Sequence, residues 1–128
     1  MEYDESNDAA RTASTALASC AKALGDLDDL VRLLQRGHVP TKPWQRQLAS
    51  QLREIDGLLQ ILRMTAVMER PEAEVLSAAE ALWNACRRIS LAVAGSRADQ
   101  ATKAAVHLIA GLASRVLGHL DSTNAESR

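Results

Sequence analysis

The sequence predicts an all-α, single-domain protein: an up-down-up-down antiparallel four-helix bundle with helices at approximately 8–36, 43–69, 71–94 and 97–120. Three observations carry that prediction. Apolar residues recur at alternating steps of three and four along four separate stretches, the signature of a helix that buries one face. Aromatic residues are almost missing, with Tyr3, Trp44 and Trp83 and no Phe, so the core is built from Leu, Ile, Val and Ala, which suits closely spaced helices better than a sheet. Finally, the second and third links are short, and short links make consecutive helices antiparallel neighbours.

Each element follows from its own pattern. The first helix reads Ala10, Ala13, Leu17, Cys20, Leu24, Leu27, Val31, Leu34, an unbroken seam that keeps its phase across Gly25 and therefore predicts one continuous helix. Asp28 is placed to pair with Arg32, and Gly37 is expected as a left-handed stop. The segment from His38 to Pro43 is the one substantial loop, with Thr41 as the expected cap. The second helix carries the strongest seam: Leu48, Leu52, Ile55, Leu59, Leu62 and Ala66. Pro71 forbids its smooth continuation, and Glu72 and Glu74 then supply first-turn carboxylates to the third helix, whose seam is Val75, Ala79, Leu82, Cys86, Ile89 and Val93. Ser96 and Asp99 have the spacing of a capping box and open the fourth helix, with an expected core face of Ala101, Ala105, Leu108, Leu112, Val116 and Leu120.

A length of 128 residues fits one domain, 1–128, in which roughly 68–70% of the unfolded chain's surface is buried on folding. The polar ends, 1–7 and 121–128, have little to bury and are expected to be frayed or disordered. Hydrophobic residues at 47% and charged residues at 24% exclude general disorder. Two cysteines far apart in sequence, Cys20 and Cys86, form no CxxC pair and no disulfide framework, although both fall on seams where their sulfurs could approach across the core, and the N-terminus is acidic where a signal peptide is basic. These features, with no apolar run of bilayer length, predict a cytoplasmic protein with no membrane role. Arginine well in excess of lysine, with abundant alanine, hints at a GC-rich bacterial genome.

The search for chemistry is negative. No phosphate loop, dinucleotide turn or nucleophile elbow is present. His107 and His119 lie about 120° apart around a helix and cannot share a metal, and no inward Glu and Glu-x-x-His set exists for a carboxylate-bridged centre. Catalytic residues, metal ligands and cofactors are therefore all expected to be absent, and no motif ties the chain to a known family. The net charge of −1 gives no general attraction to nucleic acid or anionic lipid. Folding the bundle in outline gathers Arg36, Lys42, Arg46, Arg88 and Arg97 near one end. Beside helix N-termini and Trp44 these residues make an anion or nucleic-acid site conceivable, although cations in last turns are expected without a ligand, and nucleic acid is disfavoured.

Two stripes remain once the seams are assigned. Helix 2 keeps Ile61, Met64 and Met68, and helix 4 keeps Ala104, His107, Gly111, Ser114 and Gly118. These are the candidate partner-binding residues, with methionine giving adaptable packing and glycine close approach. The functional expectation is a non-enzymatic bundle acting through protein-protein contact, as a regulator, adaptor, immunity or assembly factor, with a second copy of itself (a homodimer) or another protein as partner. Its rival is a sensor holding a small apolar ligand between helices beside Trp83 and Met64. Anion binding at the basic end ranks third.

Overall fold

A computed structural model describes residues 15–37 and 39–126, with side chains to residue 122. Among these the only regular secondary structure is helical, with no strand. A short helical segment at 15–19 is followed by α1 (Ala21–Gly37), α2 (Pro43–Val67), α3 (Glu72–Ala94) and α4 (Gln100–Glu126). Backbone contacts close a ring: α1 packs on α2 and α4, and α3 packs on α2 and α4, while the pairs α1/α3 and α2/α4 do not approach. The α3/α4 contact is the most extensive and α1/α2 the least. One continuous core fills the centre of the ring.

The seams of α2 and α3 are as the periodicity predicts. Leu52, Ile55, Leu59 and Leu62 are fully buried, as are Cys86 and Ile89, because in each helix one three-four seam runs unbroken along a single face. Of the first seam, Leu17 in the segment at 15–19, Cys20 at the turn, and Leu24, Leu27 and Val31 in α1 are buried, whereas Ala10 and Ala13 lie outside the described residues.

The first helix is not continuous. A turn at Cys20 separates 15–19 from α1, and Gly25 is not the cause. The Ser19 hydroxyl donates to the Ala16 carbonyl at 2.8 Å, the acceptor that the Cys20 amide would use in a regular helix. That amide turns instead to the Leu17 carbonyl at 3.0 Å. Back-bonding of a serine onto the preceding turn is a known cause of helix bending.

Helix ends depart from the sequence expectation in ways that capping explains. At the start of α2 the N-cap is Lys42 rather than Thr41. The Gln45 side-chain oxygen accepts from both backbone amides, at 3.1 Å from Thr41 and 2.9 Å from Lys42. Gly37 closes α1 in helical conformation, and no described glycine has a positive φ. The left-handed stop belongs instead to Glu69, with φ of 49°. There the Glu69 amide donates to Ala66 and the Arg70 amide to Thr65, at 3.1 and 3.0 Å, which is the Schellman pattern. Arg70 then reaches forward to Glu74 through two hydrogen bonds of 2.8 and 2.9 Å. Those bonds hold the Glu74 carboxyl below its ordinary range, so the clamp is complete at neutral pH and is lost only as pH falls through the lowered value. A non-glycine residue at a left-handed position carries a local cost. Glu69→Gly is therefore expected to stabilise the protein by about 1 kcal/mol and to raise Tm by about 4 °C, read by thermal denaturation followed by circular dichroism.

The fourth helix differs most. It starts at Gln100, three residues later than expected, because Asp99 and not Ser96 is the cap. Asp99 accepts from the Thr102 amide at 3.3 Å and from its hydroxyl at 2.6 Å, and these bonds, led by the one from the hydroxyl, hold its carboxyl below the usual range. Ser96 closes the previous turn by donating to Val93. The helix also runs on to Glu126, so the expected frayed tail over 121–126 is helical, whereas 1–7 and 127–128 fall outside the described residues. The core face is Val106, Ile109, Ala113, Val116 and Leu120, with Ala110 beside it. Leu108 and Ala101, expected inside, are exposed. Small residues at 110 and 113 allow α4 to lie close against its neighbours, and that rotation turns Leu108 outward.

Candidate functional site

With the core closed, the exposed large apolar side chains of the described residues, Val39 and Leu91 apart, group on two separate surfaces. The first is a groove of about 560 Å³ between α1 and α4. Asp26, Asp29, Leu30 and Leu33 line it from α1, and His107, Leu108, Gly111, Leu112 and Arg115 from α4. Leu33 and Leu108 stand largely exposed, 63% and 56%, on opposite walls. Both acidic residues come from α1 and the one arginine, Arg115, from α4, so the groove is apolar along its floor and carries charges of opposite sign on its two walls. Asp26 is engaged by Lys22 at 3.2 Å.

The second surface is on α2. Ile61, Met64, Val67 and Met68 are between 54% and 80% exposed, and Ile61 with Leu58 and Thr65 borders a shallower groove of about 480 Å³ against α3. The stripe predicted from the sequence is thus exposed, with Val67 added to it. Ala104, His107, Gly111 and Gly118 are exposed on α4, and two of them, His107 and Gly111, enter the first groove. The structure does not unite the two sets, because α2 and α4 sit across the ring from each other. Neither of these two grooves is lined by Trp83 or Met64.

Three of the five candidate anion-binding side chains, those of Arg36, Arg46 and Arg88, are engaged within the chain. Arg88 pairs with Glu54 at 2.8 Å, joining α3 to α2. Arg46 donates to the Thr41 carbonyl at 2.7 Å and Arg36 to the Arg32 carbonyl at 3.5 Å. Lys42 is the residue whose amide Gln45 caps, and Arg97 lies exposed in the α3–α4 link. Each cation that bonds within the chain is correspondingly less available to a ligand.

Two polar arrangements were not foreseen from the sequence. Asp28 is buried in the α1/α2 contact, where one carboxylate oxygen lies 3.2 Å from Arg32 Nε and 3.7 Å from Arg63 Nη1. Its other oxygen, Oδ1, is buried with no hydrogen-bond partner. Arg63 also donates to the Leu24 carbonyl at 3.3 Å, tying α2 to α1 where backbone packing is thinnest. The Asp28–Arg32 spacing was visible in the sequence, but the third member comes from another helix. At the far side, Ser19 Oγ lies 3.1 Å from His119 Nε2 and links the segment at 15–19 to α4. Both cysteines are buried and free. Burial pushes the Cys86 thiol up to about 12 and raises that of Cys20, which keeps both protonated at neutral pH and weak as nucleophiles. Among the described residues, no three His, Cys, Asp or Glu side chains gather to hold a metal, and no helix is long and apolar enough to cross a membrane.

Comparison with known proteins finds no match among family models, curated proteins or solved structures.

Proposed function

We propose that the chain is an up-down-up-down antiparallel four-helix bundle that works without catalysis, through protein contact, and that its first partner is a second copy of itself. The closed ring of contacts and the tight turn at Glu69 support the bundle topology. The observation that carries the functional reading is the apolar surface left outside a complete core: Leu33 and Leu108 on the α1/α4 groove, and Ile61, Met64, Val67 and Met68 on α2. Grouped apolar exposure of this kind marks interaction surfaces on small proteins, and methionines suit a contact that must adapt. The role is that of a regulator, adaptor, immunity or assembly factor, in a cytoplasmic and bacterial setting.

A small apolar ligand is the second reading, favoured by the apolar floor of the α1/α4 groove. Its open shape suits a helix better than an enclosed small molecule. Anion binding is the weakest, since Arg88, Arg46 and Arg36 are engaged within the chain.

Sedimentation velocity at micromolar concentration tests the reading, with wild type compared against Met64→Glu and Gly111→Leu. Wild type is expected to sediment above the 13.8 kDa chain mass, and at least one variant is expected to return to monomer while keeping its helicity. A wild type that is monomeric and unchanged by either substitution defeats the self-association reading.

A further inference from the structure

Two apolar surfaces compete for the second copy, and the charges decide between them. On the α1/α4 groove, Asp29 and Arg115 stand exposed on opposite walls. Among the described residues neither forms an ion pair within the chain. Leu33 and Leu108 are arranged in the same way, one on each wall and each more than half exposed. A surface carrying one sign on its left wall and the other on its right is complementary to itself under only one kind of twofold. An axis along the helices, running down the groove, places α1 of one copy over α4 of the other. An axis across the helices places α1 over α1 and repeats like charges.

Resting on the self-association reading, we infer that the α1/α4 groove is the dimer interface, closed by a second copy about a twofold parallel to the helices. Asp29 of each copy then faces the wall of the other that carries Arg115, twice by symmetry, and Leu33 comes over the wall that carries Leu108. Isologous contacts are the commonest form of small oligomer and require this self-complementarity, and opposite potentials across an interface fix its register. Gly111 lies at the floor, where an added Cβ meets nothing within 4 Å in the single chain. A larger side chain there is accommodated by the monomer and intrudes only on the second copy.

The test is a charge swap read by sedimentation velocity on the full chain. Asp29→Arg and Arg115→Asp are each expected to weaken dimerisation at least about ten-fold, with helicity and Tm unchanged because both residues are exposed. The double variant restores both pairs and is expected to dimerise like wild type. So is an equimolar mixture of the two single variants, since both contacts of the mixed dimer then join an arginine of one variant to an aspartate of the other. Single variants that dimerise normally, or a double variant that stays monomeric, overturn the inference. Loss of the dimer in Met64→Glu alone, with Asp29→Arg unaffected, overturns it in favour of the α2 face while leaving self-association intact. A monomeric wild type removes the self-association reading itself.

Discussion

Leu59→Ala in α2 is expected to destabilise the protein by about 3 kcal/mol, lowering Tm by roughly 10 °C. Leu59 has no exposed surface and sits mid-seam between Ile55 and Leu62, which are equally buried. Alanine is the better helix former of the two residues, so helix propensity cannot supply the loss. What is lost is the burial of the leucine side chain beyond its Cβ and the contacts around the space it leaves. Ile61, two residues further on, is 54% exposed, and Ile61→Ala is expected to cost less than half as much. Urea denaturation of both variants checks the pair. Equal losses at the two positions would contradict the assignment of the Leu59 face to the core and the Ile61 face to solvent.

The second large effect is expected at the α1/α2 contact. Arg63→Met removes the charge nearest buried Asp28 from the neighbouring helix, together with the hydrogen bond to the Leu24 carbonyl. Asp28 then keeps only Arg32, at 3.2 Å on its own helix, while Oδ1 is already without a partner. Removing one member of a buried pair costs more than the pair was worth, because the remaining charge stays desolvated. A loss of about 2 kcal/mol is expected, toward the low end because the Arg63 side chain retains 36% of its exposure. The double variant Asp28→Leu with Arg63→Met removes the uncompensated charge as well and is expected to recover to within about 1 kcal/mol of wild type. Additive losses in that cycle, measured by chemical denaturation, would show that the three-residue cluster is not energetically coupled.

What could be read from the sequence and what could not divide on a physical line. In α2 and α3 one unbroken three-four seam dominates, so the seam residues from Leu48 to Leu62 and from Val75 to Val93 could be assigned to the core from their spacing alone. In α4, Leu108, Ile109, Leu112, Val116 and Leu117 support two phases, and the outcome rests on how closely Ala110 and Ala113 let the neighbouring helices approach. That choice is tertiary, and it is why Leu108 was expected inside. Helix ends were legible only to a few residues, since Gln45 and Asp99 won the caps from Thr41 and Ser96 through side-chain geometry that spacing alone does not rank. That Ile61, Met64 and Met68 form a stripe beside the α2 seam followed by subtraction, but their exposure did not, because such a stripe serves equally to bury a neighbouring helix. The α1/α4 groove did not follow, since its walls are set by the rotation of two helices far apart in sequence. Asp28 likewise reads as a surface partner of Arg32 until Arg63 is brought over it.

Self-association is the property on which the proposed function stands or falls. The most direct measurement is its mass by light scattering across a dilution series from about 100 μM downward, at physiological salt. A weight-average mass that approaches twice 13.8 kDa at the concentrated end and falls on dilution is the predicted result. A mass that stays at 13.8 kDa throughout contradicts it.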